Sequence, residues 1–226
     1  MELFINYFLI FIIGSILGFI IELFYRRYFS VGSWINPGFL TGPWQPLYGF
    51  GILILYLVSS LEISIYYKLL LILVLMTLIE YITGLIFIKF FKIKLWDYSN
   101  KKFNIQGIIS LEFSFYWLIL GVIYIFLINP RIVSLINILD YTNILFIFFM
   151  GGLFSLIIFD FLNSINFARE IKKLYVKTKE SIHFEQFKLF NKLKHKNLFI
   201  LPIRAKDALI ENVNEFLNKI KEKIKK

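Results

Sequence analysis

The chain has 226 residues, 58% of them hydrophobic, with 27 Phe, a mean hydropathy of +0.72 and a formal net charge of +10. Soluble domains are about 45–50% apolar, and here the apolar residues come in long blocks, which excludes an ordinary soluble core and points to a bilayer protein. There is no cysteine, which excludes thiolate metal sites, disulfides and cysteine nucleophiles.

The first membrane helix is expected at about 3–25. It opens with Glu2 and carries Arg26 and Arg27 behind its apolar run, the reverse of a cleaved signal peptide. Gly14 and Gly18 form a GxxxG packing signal within it. Glu22 and Arg26 are four apart, in the favourable order for a helical ion pair.

Next comes GFLTGPWQPLYGFG, Gly38 to Gly51, with four of the chain's twelve glycines and two of its five prolines. Pro43 and Pro46 lack an N–H and push their predecessors out of helix. Gly38, Gly42, Gly49 and Gly51 permit close backbone approach and, at Gly42, an expected positive φ. Two readings stay open. The loop, with Asn36, Gly38, Gly42, Pro43, Pro46, Tyr48 and Gly49 as its candidate residues, folds inward with N–H groups that could hold an anion. Alternatively it is a plain turn anchored at the interface by Trp34, Trp44 and Tyr48.

A short second span is expected at about 47–61 and a third at about 66–91. The third carries Glu80 near its middle, where an acidic residue costs roughly 2.5–3.5 kcal/mol on insertion scales. Glu80 should therefore face protein or water. It is either a substrate contact or proton-linked site, or an interhelical hydrogen-bond partner. Its company in the inward reading is the loop N–H groups or the Tyr48 hydroxyl. The loop Leu95 to Gly107 follows, with Asp97 and Asn104 expected to cover the first loop near Arg26 or Arg27.

The fourth and fifth spans are expected at about 110–129 and 143–165. Glu112 starts the fourth, and Asp160 and Asn163 lie near the end of the fifth. For Glu22, Glu112 and Asp160 a solvated helix end is the favoured reading. Residues 166–226 carry 16 basic and 7 acidic residues, with helical apolar stripes over 183–194 and 209–224. They read as a basic amphipathic tail that docks on anionic lipid or a partner, or packs on itself. His183 and His195 lie in it as solvated residues, so no metal site is expected.

Basic residues follow the first, third and fifth spans, which places those loops in the cytoplasm and the amino terminus outside. The expected fold is an all-α polytopic bundle of about five spans over residues 1–165, with a cytoplasmic tail over 166–226. No GxxxxGK[ST], GxSxG or HExxH occurs, so the chain carries no P-loop of its own. No cofactor and no catalytic residue is assigned. The candidate polar set is Glu22, Arg26, Glu80, Asp97, Asn104 and Glu112.

NPGFLTGPWQPLYGFG (Asn36–Gly51), EYITG (Glu80–Gly84), WDYSNKKFNIQG (Trp96–Gly107) and GFIIELFYR (Gly18–Arg26) resemble the ABC-transporter permease family called type IV, in order over about residues 5–125. The family pattern has a basic residue where Pro37 stands, a cysteine where Gln45 stands and an arginine near Ile108. The resemblance implies a multi-pass permease subunit of the bacterial cell membrane. Its partners would be membrane lipid, a separate ATPase subunit and further copies of the chain, with no nucleic acid. Two alternatives remain: a membrane enzyme acting on a lipid or lipid-linked substrate through Asp97, Glu80 or Glu112, and a non-transporting scaffold.

Overall fold

Long apolar runs with few breakers satisfy their own backbone, so they fold as helices, and punctuation sets where each one stops. The computed structural model describes residues 2–30, 32, 34, 36–91 and 94–178. Its helices are α1 (Glu2–Tyr25), α2 (Pro46–Ser59), α3 (Ile65–Ile86), α4 (Leu111–Ile123), α5 (Asn129–Ile138) and α6 (Ile144–Thr178). Between α3 and α4 lies one small antiparallel pair, β1 (Asn104–Ile105) and β2 (Ile109–Ser110), with Asn104 opposite Ser110. The all-α bundle expected from the sequence is the fold observed.

Four helical stretches among the described residues are long and apolar enough to cross a membrane: Glu2–Phe29, Ile65–Phe91, Leu111–Ile138 and Ile144–Asn166. The third of these passes through Pro130. Proline removes a ladder donor and its ring crowds the carbonyl four residues back. A wider π turn over Tyr124–Ile128 precedes it and takes up the clash. The span expected to stop near 129 therefore continues to Ile138. At the other end, Asn143 accepts the N–H groups of Leu145 and Phe146 and starts α6.

α2 has 14 residues, about 21 Å of helix against a hydrocarbon core of about 30 Å. Alone it falls short of the second span expected at 47–61. The segment before it covers the missing depth. The Arg26 guanidinium donates to the Pro37 carbonyl at 3.2 Å, and the Gln45 N–H donates to the Ser15 carbonyl at 3.0 Å. Residues 37–45 thus climb α1 from the level of Arg26 to that of Ser15, roughly 16 Å along its axis.

α2 then continues antiparallel to α1, up to a Tyr7–Tyr56 ring contact. Gly14 and Gly18 make the approach possible: a Cβ would lie 2.2 Å from Ile52 at Gly14 and 2.1 Å from the Tyr48 ring at Gly18. The GxxxG signal therefore marks where α2 lies on α1. α3 and α4 pack at the centre through Ile72, Met76, Trp117 and Tyr124, joined by a 3.0 Å hydrogen bond from Thr77 to Ser114. α6 lies against α1 through Ile5, Phe8, Ile12, Met150 and Ile157. It runs unbroken through residue 166, where the tail was expected to begin. The amphipathic stripes over 183–194 and 209–224 lie outside the described residues.

Candidate functional site

The inward segment Asn36–Gln45 is built by its own side chains. Asn36 is buried; its amide donates to the Leu40 and Thr41 carbonyls, and its oxygen accepts the Gly38 N–H at 2.8 Å. Asn36 thereby does the work of a secondary-structure ladder where prolines and glycines prevent one. Phe39 and Leu40 are buried against Ala168 of α6 and Phe87 at the end of α3. Pro43 is exposed at the turn, and Pro46 fills the first helical position of α2, where its missing N–H costs nothing. The loop is folded into the bundle, not a flat interfacial turn.

Its N–H groups do hold an anion, one supplied by the chain. Asp160 of α6 accepts from the Thr41 N–H (3.0 Å), the Gly42 N–H (2.8 Å) and the Trp44 indole N–H (2.8 Å). The Ser164 hydroxyl adds a longer bond at 3.4 Å. Asp160 is 9% exposed, which overturns the solvated-end reading. Gly42 does not have the expected positive φ; among the described glycines that conformation belongs to Gly32 and Gly107. Gly42 is needed for space instead, since a Cβ there would sit 2.2 Å from the Trp44 ring.

Glu22 is half-buried and also serves the loop. It accepts from Arg26 at 2.8 Å and from the Gln45 side-chain amide at 2.6 Å. The expected Glu22–Arg26 pair is present, and Gln45 extends it. Tyr48 and Gly49 open α2 just above. The Tyr48 ring packs on Gly18 and on Trp117, 5.1 Å between centroids, and Gly49 lies against Ser15 and Phe11.

Glu80 is 3% exposed, so it faces protein. Its two oxygens accept from the Tyr98 hydroxyl (3.1 Å) and the Trp117 indole N–H (3.0 Å). The company expected from the first loop or from Tyr48 comes instead from the second loop and α4. Burial first, and then the Glu80 charge, push the Tyr98 hydroxyl well above its ordinary value.

The second loop is closed on itself. Tyr98 donates its N–H to the Gly107 carbonyl, and the Trp96 indole donates to the Ile108 carbonyl at 2.7 Å. Asn104 bonds to Ser99, Lys101 and Gly107. Burial acts to raise the Asp97 carboxyl, but hydrogen bonds from Ser99, together with Lys94, outweigh it and hold the group below its ordinary value. Asp97 and Asn104 thus shape the hairpin that presents Tyr98. The contacts found for them lie inside that hairpin, while Arg26 bonds to Glu22 and Pro37. Glu112 is exposed at the start of α4, paired with Lys101 at 3.0 Å, as a helix end should be.

Of the candidate set, then, Glu22, Arg26 and Glu80 come together with the loop residues around the start of α2. Asp97 and Asn104 act one step away, and Glu112 stands apart. Asp160, Gln45, Tyr98 and Trp117 belong to the site although the candidate set omits them. Asp160 carries a readable signal, a lone carboxylate in the apolar run IIFDFL, by the same insertion-cost argument that selects Glu80. Neither Trp117 nor Tyr98 has such a signal, because aromatic residues are common in spans and interfaces.

No curated protein and no solved structure matches the chain. A family model matches residues 9–165, which takes in most of α1, all of α2 to α5, both polar loops and α6 as far as residue 165. The four long apolar helices fit a membrane protein, and by that match the chain belongs to the family described as "Putative ABC-transporter type IV".

Proposed function

We propose that the chain is the membrane subunit of an ABC-type transporter, a permease that works with a separately encoded ATPase. The observation that carries this reading is the inward segment Asn36–Gln45, held at membrane depth by Asp160 and Glu22. Non-helical backbone and carboxylates inside a bundle are costly and belong where a polar path must run. A plain anchor needs neither. The chain has no P-loop, so ATP hydrolysis falls to a partner.

In this reading residues 1–165 are the transmembrane domain and 166–226 a basic cytoplasmic tail. The amino terminus faces outside, and the loops around 30–45 and 92–107 face the cytoplasm, because the basic residues gather there. Five crossings per chain are few for a transport path, so the working unit is an oligomer in the cell membrane.

The test is purification of the tagged chain from its native membrane in mild detergent. An ATPase should co-purify, and its hydrolysis should depend on the intact chain and fall with Asp160→Ala. Lipid turnover by the chain alone, with no ATPase bound, would replace this reading with the enzyme alternative. Single cysteines introduced near 98 and 140 should label from opposite sides; labelling near 140 from the cytoplasmic side would refute the orientation.

A further inference from the structure

Glu80 sits in the interior of a span of 27 residues and is 3% exposed. Cations among the described ion pairs go elsewhere: Arg26 to Glu22, Lys94 to Asp97 and Lys101 to Glu112. Around Glu80 stand Trp117 of α4 and Tyr98 of the second loop, both neutral donors, with Tyr48 of α2 and Glu22 of α1 close enough to act electrostatically. The charged neighbour is therefore the Glu22 carboxylate, itself paired with Arg26. A buried carboxylate without a cation is unfavourable when ionised and is relieved by taking up a proton.

We infer that Glu80 is a proton-binding site whose proton is carried on Oε1, with the Tyr98 hydroxyl oxygen as its hydrogen-bond acceptor. The two donors differ in a way that fits this role. An indole N–H only donates, so Trp117 fixes Oε2 as an acceptor in either state. A phenol both donates and accepts. When Oε1 is ionised, Tyr98 donates to it; when Oε1 carries a proton, the carboxyl donates and the Tyr98 oxygen accepts. Each Glu80 oxygen keeps a partner in both states, but in the protonated state the Tyr98 O–H must turn away from Oε1. Tyr98 also belongs to the loop between α3 and α4, so the proton has a route from the loop side. Proton occupancy at Glu80 then sets how strongly that loop is held, since the ionised form makes the stronger, charge-assisted bonds. Proton binding here does not depend on the chain being a transporter.

Infrared difference spectroscopy on the full chain in lipid nanodiscs reads this directly. A protonated-carboxyl C=O band should be present at neutral pH, absent from Glu80→Gln and retained in Glu112→Gln, whose carboxylate is exposed. Tyr98→Phe keeps the 4.0 Å stack on Phe113 but removes the hydroxyl that favours the ionised form, so the band should persist to higher pH. Thermal unfolding of Glu80→Gln confirms that the comparison is between folded proteins. A wild-type spectrum with no protonated-carboxyl band at neutral pH, or one unchanged by Glu80→Gln, would overturn the inference.

Discussion

Replacing Asp160 with Ala removes the acceptor from three loop donors at once, and from the more distant Ser164 hydroxyl. A hydrogen bond to a charged acceptor contributes ~1.5–3 kcal/mol, and a buried donor left unpaired costs ~1–3 kcal/mol. Thr41 is exposed, so water replaces its lost partner; Gly42 and Trp44 are half-buried and depend on Asp160 more strongly. Relief of a buried carboxylate offsets part of the loss, which leaves a net destabilisation of about 2–4 kcal/mol, at the lower end for a broken buried charge contact. Asp160→Asn keeps one acceptor, best placed toward Gly42 and Trp44, and turns an amide N–H₂ toward the Thr41 N–H, so it should cost about half as much. The assay is unfolding in one fixed detergent followed by tryptophan fluorescence, with labelling of a cysteine at position 43 as a probe of loop release. Labelling should rise in the order wild type, Asn, Ala. Equal stability of wild type and Ala, or an Asn variant as damaged as Ala, would show that the three contacts do not hold the loop.

Gly42→Val should damage folding far more than Thr41→Val, because a Cβ at 42 meets the Trp44 indole while position 41 contributes only its backbone N–H and carbonyl; expression and melting temperature of the two variants decide it. Glu80→Leu should lose about 2–4 kcal/mol by stranding the Tyr98 and Trp117 donors, whereas Glu80→Gln, which keeps an acceptor, should lose less; the two melting curves compared in the same detergent test this. For Asp97 the folded carboxyl titrates below its ordinary value of 3.8, so the hairpin stability it adds is present above that pH and is lost as pH falls through the lowered value. The protection factor of the Ser99 amide, referred to intrinsic exchange at each pH, should therefore fall only in acid, and Asp97→Asn should remove that acid dependence.

The spans were legible because a bilayer imposes one rule on every crossing: apolar, long and helical. That rule locates α1, α3 and α6 within a few residues at their amino-terminal ends. It misjudges two places where the backbone departs from a simple helix. Pro130 is carried inside a helix by the π turn before it, and a proline in a sequence does not announce its own accommodation. The segment before α2 is non-helical, so a hydrophobic window sees only α2. Within the site, the cost of a carboxylate among Ile, Leu and Phe points to Glu80, and Asp160 answers the same argument. Partners were not legible. Nothing in the spacing of Glu80, Tyr98 and Trp117, or of Asp160 and Trp44, says that they meet, because those contacts are set by how the helices stack rather than by any local pattern.

α6 continues as one helix for 35 residues, about 52 Å at 1.5 Å per residue, against a hydrocarbon core of about 30 Å. Asp160 lies 18 residues before its end at Thr178, or roughly 27 Å of rod. A stiff rod of that length is a lever. Whatever grips its far end can tilt or turn the carboxylate that pins Thr41, Gly42 and Trp44, and a small rotation at the handle breaks several hydrogen bonds at the pivot together. Conversely, a change at the pinned loop swings the far end through a larger arc. A turn at one end of the helix and a rearrangement at the pinned loop are thereby joined by a single covalent element, with no relay of intermediate contacts.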